Sequence, residues 1–212
     1  MSSSTVHIPA GEVTLEGDLA VPERSGGLVA FAHGSGSSRF SPRNNYVARR
    51  LQERGLATLL FDLLTREEDA RYENRFDIDL LTERLLAATR WAQSEPSVQG
   101  LPIGLFGAST GAAAALRAAA RMGPAIAAVV SRGGRPDLAQ DVLGQVHSPT
   151  LLIVGGADYG VIELNEAAHG ALAGERRLEL VPGATHLFEE PGALEQVADL
   201  AADWLSEHLA GG

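Results

Sequence analysis

The stretch Pro102-Ile103-Gly104-Leu105-Phe106-Gly107-Ala108-Ser109-Thr110-Gly111, continued by Ala112-Ala113-Ala114-Ala115-Leu116-Arg117-Ala118-Ala119-Ala120, decides how the rest of the chain is read. The run 102–106 is short, apolar and suited to a strand covered on both faces. The alanine-rich run predicts a helix over Thr110 to Met122, closed by Gly123-Pro124. Between them stands G-x-S-x-G, Gly107 to Gly111. A strand that turns at once into a helix leaves little room around the turn, so the flanking residues must be small. The helix start also brings backbone N–H groups and a partial positive charge to Ser109. The plainer reading is a tight glycine turn in which Ser109 only caps the helix.

Outward from this stretch the same unit recurs. Leu28 to Ala32, Ala57 to Phe61, Ile126 to Val130, Thr150 to Val154 and Arg177 to Val181 read as strands. Helices are predicted over Tyr46 to Arg54, Asp77 to Gln93, Val161 to Leu172 and Ala193 to Leu209, from apolar spacing and closing glycines. Val6 to Ile8 and Val13 to Val21 alternate with a period of two around Pro9-Ala10-Gly11, which predicts an antiparallel hairpin. Strands alternating with helices give a mostly parallel sheet with helices on both faces. No repeat, linker or boundary interrupts residues 1–212, so one α/β domain is expected.

Ligands of such sheets bind beyond the carboxyl ends of the strands. There a serine needs a base, and the base needs a group to orient it. Of six histidines, His186 follows the last strand on the correct edge, in Val181-Pro182-Gly183-Ala184-Thr185-His186. His7, His169 and His208 fall on element surfaces, His147 lies at the wrong end of a strand, and His33 precedes the serine. Asp158, in Gly155-Gly156-Ala157-Asp158, is the expected acid, with Asp137 its main rival and Glu163 and Glu189 more distant ones. The oxyanion donors are expected at the N–H of Thr110 and, from the loop His33-Gly34-Ser35-Gly36, the N–H of Ser35, with Gly36 second. His33 is expected to hold that loop by hydrogen bonds.

Composition closes off other chemistries. The 27 acidic against 17 basic residues give a net charge of −10, a poor surface for nucleic acid. All the basic residues are arginine and there is no cysteine, which removes Schiff-base lysines, phosphate-loop lysines, thiolate nucleophiles and zinc–thiolate sites. No metal and no organic cofactor is expected. The first residues carry no signal-peptide pattern and no apolar run reaches the ~20 residues of a bilayer span, so a cytoplasmic protein without a membrane partner is expected. The sequence leaves the oligomeric state open.

The motifs H-G-S-G-S-S, G-A-S-T-G-A-A-A-A, S-R-G-G-R-P-D, L-L-I-V-G-G and P-G-A-T-H-L-F-E-E-P-G, in that order, resemble the α/β-hydrolases, and within them the small dienelactone-hydrolase-like branch. The resemblance spans nearly the whole chain. It implies the α/β-hydrolase fold and an acyl-enzyme mechanism through Ser109, His186 and Asp158 on a small-molecule ester or lactone. Dienelactone hydrolases proper use a cysteine nucleophile; Ser109 stands here, which turns the expectation toward a general serine esterase. A serine acyltransferase or perhydrolase on the same residues, or a non-catalytic binding protein, are the alternatives. Only Ser131 to Pro149 separates two strands where this fold usually carries its cap, so no cap domain is expected, and the charged segment Leu63 to Arg75 is the candidate flap. Arg132 and Arg135, among the loop arginines at this edge, either grip an acidic group of the substrate or pair with carboxylates such as Asp62 and Asp137.

Overall fold

The structure is a computed structural model, and it describes residues 1–210. Its strands are β1 (Ser2–Ala10), β2 (Val13–Val21), β3 (Leu28–Ala32), β4 (Ala57–Phe61), β5 (Ile103–Ala108), β6 (Ile126–Arg132), β7 (Thr150–Gly155) and β8 (Arg176–Val181). They form one sheet in the order β1-β2-β4-β3-β5-β6-β7-β8. The hairpin β1–β2 is antiparallel, β2 lies antiparallel to β4, and every later neighbour runs parallel. This is the α/β-hydrolase architecture that the motif order implied.

Alternation along the buried strands sorts two cores. Leu28, Ala30, Leu59, Leu105 and Leu152 face one side, where they meet α3 (Ile78–Ser94), α4 (Thr110–Met122) and α5 (Tyr159–Ala171). Val29, Phe31, Phe106, Val130 and Ile153 face the other, under α1 (Pro42–Glu53) and α6 (Ala193–Leu209). There the rings of Phe31 and Phe106 lie 4.9 Å apart, a contact that contributes about 1 kcal/mol beyond its burial. Among the described residues no helix is long and apolar enough to cross a membrane.

The boundaries differ from expectation where local chemistry outweighs hydrophobic pattern. β1 begins at Ser2, because β2 offers it nine residues of register, from Ser2 opposite Val21 to Ala10 opposite Val13. Its serines are exposed and carry no alternation to read. α1 starts four residues before Tyr46, on the Ser41 cap, whose hydroxyl accepts from the Asn44 N–H, with Pro42 in the first turn. Between β6 and β7 the chain makes a kinked 3-10 segment, Pro136–Gln145, and no cap. The segment after β4 forms a one-turn helix, α2 (Arg66–Asp69), and a 3-10 turn, Tyr72–Phe76. A reciprocal cap between Thr65 and Glu68 and an Arg84–Glu68 ion pair at 2.6 Å fasten it to α3.

The first turn of α4 lies almost in contact with the end of β3. A Cβ on Gly111 would sit 2.1 Å from the Ala32 carbonyl oxygen, and one on Gly107 would sit 2.4 Å from the Ala112 Cα. Both obstacles are backbone, which yields only if the helix moves. Gly111→Ala is therefore expected to cost about 3 kcal/mol or more, the upper range for overpacking. Gly170→Ala, at an exposed and uncrowded helical position, is expected to gain about 0.5–1 kcal/mol. Urea unfolding of both variants measures this; equal midpoints would refute the contact.

Candidate active site

The elbow that bears Ser109 follows from that crowding. Ser109 has φ 52° and ψ −119°, a left-handed conformation that costs a non-glycine residue about 1–3 kcal/mol. The fold holds it there from two sides. The Ser109 N–H donates to the Arg132 carbonyl at 3.2 Å, and the Ser109 carbonyl accepts from the Ala112 and Arg135 N–H groups, each at 3.1 Å. Its side chain makes no cap bond to α4, unlike Ser41 on α1, so the plain capping reading does not hold.

His186 and Asp158 come from neighbouring loops that are stitched together. The Gly156 N–H donates to the Val181 carbonyl at 2.8 Å and the Ala157 N–H to the Ala184 carbonyl at 2.9 Å. The His186 Nδ1–H then reaches Asp158 Oδ2 at 2.7 Å. With Nδ1 so engaged, the ring is the Nε2-unprotonated tautomer when neutral. Gly133, directly after β6, flanks the imidazole: a Cβ there would lie 3.4 Å from His186 Cε1. Because β6 pairs Arg132 with Ala108 of β5, this contact brings His186 to the serine's side of the sheet edge.

Three residues that sequence reasoning missed shape the histidine loop. Phe188, fully buried, adopts φ 54° and donates its N–H to the Thr185 carbonyl at 3.1 Å, closing a turn around His186. Glu190 accepts from the Thr185 N–H at 3.0 Å and from its hydroxyl, bonds that hold its carboxyl below the usual range. Gly133 supplies the flank just described. The only sequence trace was the compact polar spacing of Thr185 and Glu190 around a lone aromatic.

The remaining expected residues divide. Thr110 opens α4, where the first N–H groups have no intrahelical acceptor. Ser35 is exposed, next to Gly34, whose Cβ position would be 3.4 Å from the Ser109 Cβ. Arg135 pairs with Asp137 through two bonds of 2.9 and 2.7 Å, which engages both the second expected substrate arginine and the rival acid. That ion pair lowers the Asp137 carboxyl and raises the guanidinium. Arg132 is buried at the elbow and pairs with no acid among the described residues. Arg39 binds Glu16 and Asp18 at 3.2 Å each and also Asp62, tying the hairpin to the loops after β3 and β4. Beside this network opens a hollow of about 570 Å³, which meets the site at His33; Ser109 and His186 do not line it.

His33 holds its loop as a neutral ring. Its Nδ1–H donates to the Gly34 carbonyl at 2.9 Å and its Nε2 accepts from the Leu63 N–H at 3.1 Å. Burial pushes its pKa below the ordinary imidazole value, partly offset by the Gly34 carbonyl and by Asp62 and Asp69.

An eight-stranded sheet of this order, with a serine on a strained strand-to-helix turn and a carboxylate-bonded histidine three loops further along the same edge, defines an α/β-hydrolase. The chain belongs to the dienelactone hydrolase family, whose model matches residues 19–209. A dienelactone hydrolase from Anabaena variabilis is 55% identical, over 98% of each chain, with a TM-score of 0.96. A Mycobacterium tuberculosis protein named provisionally as a phosphoribosyl transferase is 59% identical over 206 residues, 97% of this chain and 46% of its own. The chain thus spans about half the length of the curated relatives it matches. Est1E from Butyrivibrio proteoclasticus shares the fold at 18% identity, with a TM-score of 0.84 over 98% of this chain and 99% of its own.

The His33 geometry predicts a pH signature in stability. The unfolded ring takes a proton near pH 6.5 while the folded ring resists it. Stability is fully present above that value and is lost as pH falls from it through the folded pKa. His33→Asn is expected to be less stable than wild type at pH 8, by a margin that narrows from pH 7 to pH 5. Urea midpoints across that range check this, and parallel curves would contradict it.

Proposed function

We propose that the chain is a serine hydrolase that cleaves a carboxylic ester or lactone of a small molecule through an acyl-enzyme. The observation that carries this reading is the 2.7 Å Asp158–His186 bond beside a serine held at φ 52°. The bond leaves the His186 Nε2 lone pair free to take the Ser109 proton as Oγ attacks the carbonyl carbon. Asp158 keeps the ring in that tautomer and stabilises the imidazolium. The carbonyl oxygen, now carrying negative charge, is received by the N–H groups of Thr110 and Ser35. The proton on Nε2 passes to the departing alkoxide. A water, deprotonated by the same nitrogen, then adds to the acyl carbon and releases the acid and the free serine.

Each step uses side chains and backbone of this chain alone. Asp137 is not needed as the acid, since Arg135 already occupies it. The reading extends only to this hydrolase unit; the transferase named in the longer relatives concerns a length of protein twice this one.

A fluorophosphonate probe is expected to label wild type at Ser109 and to leave Ser109→Ala unlabelled, with p-nitrophenyl ester hydrolysis lost in that variant. Labelling that survives the substitution would defeat the assignment. Asp158→Asn is expected to lower kcat by about 10⁴, as for a triad acid in serine proteases, and Asp137→Asn to change it little. The reverse ranking would move the acid to Asp137.

A further inference from the structure

Arg132 stands apart from the other enclosed arginines. Arg39, Arg84 and Arg117 each pair with a carboxylate. Arg132, 8% exposed, donates from Nη2 to the Asn44 Oδ1 at 3.3 Å, and its Nε has no partner at all. The charge that bears on it is Arg43, the chain neighbour of Asn44; the buried Arg43 Nε is also unpartnered. Arg43 reaches an acid only at 3.9 Å, the exposed Glu189. Burial and the Arg43 charge push the Arg132 guanidinium down to about 10, so it still carries its charge at neutral pH. Two guanidinium groups, at the end of β6 and the start of α1, thus act on each other with no close acid between them in a chain of net charge −10.

Their surroundings add to the positive potential. Asn44 and Arg43 belong to the first turn of the twelve-residue helix α1, and that turn contains no acidic residue. The positive end of the helix dipole therefore falls where Arg132 points. An unpaired buried charge is strongly unfavourable unless something compensates it. The position is also at the chemistry: the Arg132 carbonyl holds the Ser109 N–H, and the next residue, Gly133, flanks His186. Arg43 also lines a hollow of about 310 Å³ whose walls include Glu189, Glu190 and Glu195. Those glutamates repel an anion from that side.

We infer that Arg132, Arg43 and the start of α1 form an anion subsite that receives a phosphate group carried by the ester substrate. A dianionic phosphate matches two guanidinium groups and a helix start more closely than a carboxylate with one charge. Planar guanidinium forks also suit its oxygens. That the phosphate belongs to the substrate follows only if Ser109 is the nucleophile proposed above; the anion subsite stands without it.

The test has two arms. In the first, inorganic phosphate and acetate are titrated calorimetrically into wild type, Ser109→Ala, Arg132→Gln and Arg43→Gln. The second variant covers the case in which Arg132→Gln fails to fold. Phosphate is expected to bind more tightly than acetate to wild type and to Ser109→Ala, and about tenfold or more weakly to the arginine variants, the size expected for losing a charge-assisted hydrogen bond. No phosphate binding to wild type, or unchanged binding to the variants, overturns the subsite; acetate binding as tightly as phosphate overturns the choice of phosphate. In the second arm, kcat/KM is compared for the p-nitrophenyl esters of butyrate and 4-phosphonobutyrate. The phosphonate ester is expected to be preferred, and the preference to fall about tenfold in Arg43→Gln, through KM. Phosphate binding without that preference overturns the substrate assignment. If wild type hydrolyses neither ester while phosphate binding still depends on Arg43, the hydrolase reading fails and the anion subsite survives.

Discussion

Everything at the sheet edge that carries Ser109 depends on how closely α4 approaches β3. The helix begins so near the Ala32 and His33 carbonyls that only a hydrogen fits on the Gly111 α-carbon. That closeness forces the chain from β5 to reverse within one residue, and Ser109 is that residue. The strained dihedrals are thus a consequence of packing on both sides of the turn, and the hydrogen bonds to Arg132, Ala112 and Arg135 distribute the load. A looser contact would let the serine relax into an ordinary helix cap, with its hydroxyl bonded to the helix as Ser41 is on α1.

The rest of the site is assembled by backbone rather than by side chains. The loops after β7 and β8 bond to each other before Asp158 and His186 meet, and Gly155 has no room for a Cβ because the Ala184 carbonyl occupies the space. The aspartate–histidine distance is therefore set by sheet register and two loop bonds. His33 does the same for the loop after β3, bonding both forward to Gly34 and across to Leu63. Rigid strands and short stitched loops explain how these groups stay placed with no cap inserted between β6 and β7.

The sheet, its helices, the turn at Ser109 and the meeting of Asp158 with His186 were legible because each leaves a mark in the sequence. Continuous apolar runs mark covered strands, and small residues around Ser109 mark a turn without space. His186 and Asp158 were legible from chain order at one edge. What escaped was non-local. Nothing in Phe188 itself shows that it will adopt a left-handed backbone, since the turn is imposed by its burial under α6 and by the Thr185 carbonyl. Arg132 and Arg135 look alike in Ser131-Arg132-Gly133-Gly134-Arg135, yet one ends inside the protein and the other on Asp137. Strand parity separates them: Arg132 is the last residue of β6 and points toward α1, and Arg135 lies beyond the strand. The early start of α1 was available in Ser41-Pro42, a cap and first-turn pair, but apolar spacing begins only at Tyr46.

The sheet's parallel half closes late in the order of synthesis. β7, Thr150–Gly155, is buried along its whole length and is apolar except at Thr150. Its outer partner is β8, whose Arg176, Arg177 and Glu179 make the finished sheet end on a charged, largely exposed strand. Charged edges resist pairing with a second chain, and naked apolar edges invite it. Until β8 leaves the ribosome and docks, β7 is such a naked edge. In the interval between making these two strands nascent copies carry an apolar edge open to pairing, and the charges on β8 end that exposure once it is in place.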